Sequence, residues 1–175
     1  MKFIQTLALL ALTYSGFSQS DNSTQKINFS KDNYKIQYPK SWNLDTSRMM
    51  GTEFFVFSPL ENDTDKFREN VGLLIQNLAG QNIGLEQYKK ITDGQITEMA
   101  TDGKIFESLV LKSDKGEYYK VTYAMTQGKF RLKITSFCYI KKDKAYLVTF
   151  TSAFDQYDQY KKTGVEILNS FSLTE

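Results

Sequence analysis

Residues 105–152, IFESLVLKSDKGEYYKVTYAMTQGKFRLKITSFCYIKKDKAYLVTFTS, decide the fold. Apolar and polar side chains alternate in four runs, Ile105 to Lys112, Tyr118 to Thr126, Phe130 to Ile140 and Ala145 to Ser152, each rich in β-branched and aromatic residues. Strands are therefore predicted for all four. The breaks between them, Ser113 to Gly116, Gln127-Gly128 and Lys141 to Asp143, are short and polar. Connections of that length join antiparallel neighbours, so the segment predicts a four-strand meander. Ala145 to Thr151 alternates least, which marks a central strand buried on both faces.

Upstream of the meander, Ile27 with Phe29, then Tyr34, Ile36 and Tyr38, then Phe54 to Phe57, then Val71 to Ile75, read as further strands. Pro39 and Pro59 stand at run ends, where a missing backbone donor harms no ladder. Between these strands and the meander, Leu85, Tyr88, Ile91, Ile96 and Met99 fall within an arc of roughly 140° on a helical wheel. They predict an amphipathic helix from Leu85 to Ala100, with Glu86 and Lys90 paired on its wet side and Asp102-Gly103 ending it. A second helix is expected from Gln156 to Phe171, with Tyr157, Tyr160, Val165, Leu168 and Phe171 on one stripe. Gly164 interrupts it at a cost of about 1 kcal/mol relative to alanine. A glycine kept there implies close approach of a strand or ring. The fold class is therefore expected to be α+β, an antiparallel sheet covered by helices, with a sandwich favoured over an open sheet.

The order of these elements, together with Tyr34-Lys35-Ile36-Gln37-Tyr38-Pro39-Lys40-Ser41-Trp42, Phe55-Val56-Phe57-Ser58-Pro59, Asn70-Val71-Gly72-Leu73 and Tyr146-Leu147-Val148-Thr149-Phe150, resembles the PsbP-like family over about residues 27–173. The resemblance implies an α/β/α sandwich with a central antiparallel sheet. That family includes an extrinsic subunit of the plant oxygen-evolving complex, a Ran-binding import factor of similar fold, and many exported bacterial proteins of unassigned function. It implies a non-catalytic binding or assembly role, and it transfers no specific partner. The matching residues are structural, and Trp42 is expected to anchor a loop.

The first eighteen residues have the form of a secretory signal peptide: Lys2 as positive n-region, Phe3, Ile4 and Leu7 to Leu12 as apolar h-region, and Gly16-Phe17-Ser18 at the cleavage site. That run is too short for a membrane span. Residues 19–26 are expected to form a disordered polar leader, and residues 27–175 one domain. The expected location is periplasmic or extracellular, with no lipid anchor, because Cys138 is the only cysteine and lies far from the cleavage site. The lysine- and asparagine-rich composition resembles that of Bacteroidota envelope proteins.

There is no histidine in the 175 residues. This excludes Ser-His-Asp and Cys-His hydrolysis, His-containing zinc sites and His-ligated haem, and no cofactor is expected. Carboxylate, lysine, tyrosine and Ser-Lys chemistries survive without a spacing signature. The formal net charge of +2 creates no field strong enough to select nucleic acid, which is not expected as a partner.

Charge is nevertheless uneven: residues 112–144 carry nine Lys or Arg against three Asp or Glu, whereas residues 19–111 carry ten against thirteen. Strand alternation puts Arg131 and Lys133 on a face with Phe137 and Tyr139, and Lys120 with Tyr118 on the next strand. Tyr118, Lys120, Arg131, Lys133 and Tyr139 are thus the candidate surface for an anionic partner, competing with a plain solvated sheet edge. Glu61, Asp63, Asp65 and Glu69 are candidate oxygen ligands for a hard cation, but their spacing does not fit an EF-hand, and a solvated loop is the plainer reading. Cys138 reads as a small buried hydrophobe. Asn22-Ser23-Thr24 and Asn62-Asp63-Thr64 match the glycosylation pattern, which has meaning only in a eukaryotic host. The function expected is an exported, non-enzymatic binding or assembly module with a protein or envelope partner. The alternatives are a hydrolase or transferase using carboxylate or Ser-Lys chemistry, and a carrier of a small anionic ligand or cation.

Overall fold

The structure, a computed structural model, describes residues 25–174. The expected signal peptide and all but the last two residues of the expected leader lie outside this range, as does the Asn22 glycosylation pattern. The first strand, β1, takes in Lys26–Lys31 and pairs as a hairpin with β2, Tyr34–Pro39. Then come β3 (Asn43–Asp45), β4 (Phe54–Phe57) and β5 (Asn70–Asn77). Helix α1 spans Leu85–Gly94 and runs into a π-helical turn at Gln95–Met99. The meander is β6 (Lys104–Ser113), β7 (Gly116–Gln127), β8 (Phe130–Lys141) and β9 (Lys144–Ala153). Helix α2 (Tyr157–Ser170) and the short β10 (Ser172–Leu173) close the chain.

Seven strands form one antiparallel sheet in the order β3-β4-β5-β9-β8-β7-β6. The strand predicted to be central is β9, the fourth of the seven, with Phe150 and Val148 fully buried. The hairpin and β10 make a separate sheet, β1-β2-β10, which alternation alone does not separate from the main one.

Each face of the large sheet has its own core. On one, α2 and the small sheet cover Val71, Leu73, Phe137, Val148 and Phe150, together with Tyr34, Ile36, Phe54 and Trp42. On the other, α1 and the π turn cover Tyr119, Val121, Cys138 and Ala145 through Tyr88 and Ile96. The result is a sheet-dominated α+β fold in which helix is sparse. Gly164 lies against Phe150 as expected, since a Cβ there would come within 2.5 Å of the ring. Trp42 is buried, its ring edge-on to Tyr160 with centroids 6.4 Å apart.

One expected stripe is broken. Met99 is 78% exposed and Ile91 42%, whereas the helical wheel sets both on the apolar face of the first helix. The π turn after Gly94 adds a residue to the helical repeat and rotates the next residues out of phase, carrying Met99 to solvent. Among the described residues no helix is long and apolar enough to cross a membrane.

Candidate functional site

The concave feature richest in chemistry is a cleft of about 220 Å³ between α2 and the β6-β7-β8 end of the sheet. Tyr157, Lys161 and Val165, four residues apart on α2, form one wall. Lys120 and Thr122 from β7, with Lys133 and Thr135 from β8, form the floor. Each pair is two residues apart, so both members share a strand face, and register sets Thr122 opposite Thr135. The far wall is Phe106 and Glu107. Adjacent strand residues normally point to opposite faces, but a bulge between Ile105 and Glu107 breaks the ladder and brings both side chains to the cleft.

The lysines are held in different ways. Lys120 Nζ lies 2.7 Å from Glu107 Oε2, a close ion pair. Lys133 Nζ sits 4.3 Å from the ring centre of Tyr157, 5.2 Å from Phe106 and 5.8 Å from Phe154. Aromatic faces attract and orient an ammonium without neutralising it. The nearest carboxylate to Lys133 is Asp158 at 4.0 Å, on a side chain 90% exposed, where solvent and salt screen the attraction. Lys161 has no ion-pair partner among the described residues.

Beneath the lysines runs a chain of buried hydroxyls. Thr122 Oγ1 lies 3.0 Å from Thr135 Oγ1, which lies 2.5 Å from the Tyr157 hydroxyl. Three hydroxyls bring three protons, and two links use two of them. The third proton, whichever of the three hydroxyls carries it, has no hydrogen-bond acceptor among the described residues. All three side chains line the cleft. The arrangement therefore offers two ammonium groups without a close carboxylate, one paired ammonium and one hydroxyl donor to an incoming oxygen. Its single carboxylate, Glu107, is engaged with Lys120.

Of the five residues predicted from sequence, Lys120 and Lys133 meet in this cleft. Arg131 flanks it with its guanidinium committed: Nη1 donates to the Asp102 carbonyl at 2.9 Å, and the Asp102 carboxylate is 3.8 Å away. Tyr118 and Tyr139 share the sheet face, as alternation required, but lie at its other end, stacked on each other at 5.4 Å. Phe171 closes over Tyr139 at 5.6 Å, leaving it buried, and desolvation pushes its hydroxyl up to about 12. These two tyrosines belong to the core. Sequence reasoning misses Phe106, Glu107, Tyr157 and Lys161 as site residues. Tyr157 and Val165 stand on the helix stripe that reads as core on sequence, and Lys161 is not on it.

The acidic loop does not converge. Glu61 Oε1 accepts from Gln159 at 2.5 Å and from the Tyr160 hydroxyl at 2.9 Å. Asp65 accepts from the backbone N–H groups of Glu61 and Phe67. Glu69 is buried, its carboxylate turned to Ser152 and Ala153. Among the described residues no three His, Cys, Asp or Glu side chains gather as a metal would require. Cys138 is buried, and desolvation pushes its thiol up to about 12.

No protein-family model and no curated protein matches the chain. Solved structures do. The solution structure of cyanobacterial PsbP (CyanoP) from Synechocystis sp. PCC 6803 matches with a TM-score of 0.61 at 16% identity, covering 92% of this chain and 98% of that one. LpqN of Mycobacterium tuberculosis, described as involved in cell envelope biogenesis, matches with a TM-score of 0.59 at 8% identity, covering 86% and 91%. A Pseudomonas aeruginosa protein of unknown function matches at 0.56 and 7% identity, over 81% and 94%. At these identities the likeness is one of fold, and the fold is PsbP-like, as the sequence resemblance implied.

Proposed function

We propose that this chain is an exported, non-enzymatic module of the cell envelope that binds a protein or envelope component through the cleft face of its large sheet. In this reading residues 1–18 are the signal peptide, 19–26 a polar leader and 27–175 the binding domain, laid out as an α/β/α sandwich. The observation that carries the proposal is the ring-held Lys133 beside Lys120 and Lys161, a cluster of cations with one close carboxylate. Phe106 and Phe154, 46% and 41% exposed, rim the same opening and supply apolar contact. A fold shared with an envelope-biogenesis protein supports the compartment.

The test is co-sedimentation of the purified protein with envelope fractions of its native host. Wild-type protein is expected to sediment at low salt and to be released at high salt. Replacing Lys120, Arg131 and Lys133 by glutamine is expected to abolish the salt-sensitive fraction. Equal sedimentation of both proteins would end this reading. Amino-terminal sequencing of native material checks the export step, with Gln19 expected as the first residue.

A further inference from the structure

We infer that the cleft is a binding site for a phosphate monoester carried on a small hydroxylated body, of the size of a hexose phosphate. The inference deepens the proposed function and rests on that reading of the cleft face as the binding face. Charge comes first. The cleft lining carries three ammonium groups and one carboxylate, Glu107, a net charge of +2 that Asp158, 4.0 Å from Lys133 on a side chain 90% exposed, offsets only weakly. A phosphate monoester carries about −1.5 to −2 near neutral pH, whereas a carboxylate carries one charge and leaves the site in excess.

Donor geometry comes next. The unused proton of the Thr122-Thr135-Tyr157 chain belongs to side chains that line the cleft together with Lys120 and Lys133. A tetrahedral oxyanion has enough acceptor oxygens for that hydroxyl and for two ammonium groups together. Lys133 is already positioned by three rings, so little side-chain entropy is lost when it engages an anion.

Size and wall chemistry limit the rest of the ligand. A space of about 220 Å³ is below the ~300–1,000 Å³ of drug-sized pockets, so the ligand is small. Glu107, which repels a second anion, can accept a hydrogen bond from a hydroxyl. Phe106 beside it, 46% exposed, offers apolar contact to a carbon body. A phosphate taken by Lys133 and Lys161, the ammonium groups outside the Lys120–Glu107 pair, leaves the hydroxylated carbon body to that pair and to the half-exposed Phe106.

The test is calorimetric titration of the purified protein with glucose 6-phosphate, inorganic phosphate, glucuronate and glucose. Glucose 6-phosphate is expected to bind one to one and to bind tighter than the other three. Its affinity is expected to rise between pH 5 and 7.5, because the second phosphate ionisation lies near pH 6. The double variant K133Q/K161Q is expected to bind about tenfold to hundredfold more weakly, the loss of charge-assisted hydrogen bonds. Both lysines lie at the surface of the cleft, and an unchanged melting temperature of the variant shows that folding is intact. Absence of heat with glucose 6-phosphate, glucuronate or phosphate binding as tightly, or an unaffected K133Q/K161Q would each overturn the inference. If co-sedimentation with envelope persists while glucose 6-phosphate fails, only the ligand assignment falls. If both fail, the binding face itself is wrong.

Discussion

Gly164 and Phe150 are in contact: the ring of Phe150 occupies the place where any other residue at 164 would put its Cβ, 2.5 Å away. The contact lets α2 settle close to β9 and stands one helical turn from Lys161, so it helps set the helix wall of the cleft. Gly164→Ala gains about 1 kcal/mol of helix propensity, but overpacking against a fully buried ring costs about 1–3 kcal/mol. Net destabilisation in urea is expected, and Phe150→Leu in the same chain is expected to recover part of it. A Gly164→Ala variant more stable than wild type would contradict the packing.

On the opposite face, Asp93 ties α1 to the sheet. Its carboxylate accepts from Lys89 Nζ at 2.7 Å, the Tyr119 hydroxyl at 2.6 Å and Ser108 Oγ at 2.7 Å. Burial alone would raise this carboxyl, but the bonds from Lys89, Tyr119 and Ser108 outweigh it and hold the group below its usual range. Because its folded pKa is depressed, the contribution is fully present above the ordinary carboxylate range and is lost as pH falls through the folded value. Asp93→Asn is expected to cost about 1–3 kcal/mol at pH 7, with the gap to wild type narrowing below about pH 4. Urea denaturation at pH 7, 5 and 3 measures both.

These two contacts show what alternation and periodicity encode. A glycine kept inside an apolar helical stripe announces a close ring, and the unbroken run from Ala145 to Thr151 announces a central strand. Both signals concern a residue and its own element. The cleft depends instead on how α2 crosses the sheet and on a bulge at Phe106, neither of which leaves a mark at a fixed spacing. Lys161 is therefore invisible in the sequence as a site residue, and Tyr139 reads as surface although Phe171, thirty-two positions on, covers it. The π turn that frees Met99 is equally silent, because its five residues read alike in either helical repeat.

Glu69 reads in the sequence as part of a solvated acidic loop, yet it is 2% exposed. Its oxygens accept from Ser152 Oγ at 3.2 Å and the Ala153 N–H at 3.3 Å, with Ser58 Oγ at 3.4 Å. Burial raises its carboxyl above the usual value despite those donors. The folded state then holds the proton more tightly than the unfolded chain does. Stability is thus greatest below the ordinary carboxylate range and declines as pH rises through the folded value. Glu69→Gln keeps an acceptor without the charge. It is expected to be at least as stable as wild type at pH 7 and to lose that advantage in acid. A glutamine variant clearly less stable at pH 7 than at pH 4, relative to wild type, would show that the carboxylate is favoured.

Cys138 reports which face opens first. Its thiol is fully buried beneath α1, on the side of the sheet away from α2. With the thiol raised to about 12 by burial, a native thiolate is scarce at pH 8, and alkylation requires an opening that brings sulfur to water. If α1 lifts before the sheet unfolds, weakening its tie at Asp93 exposes Cys138, whereas crowding α2 at Gly164 does not. Asp93→Asn is therefore expected to react with iodoacetamide faster than Gly164→Ala when the two are compared at equal loss of global stability. Equal rates would mean that both faces open only together, with the whole sheet, and that α1 has no separate opening of its own.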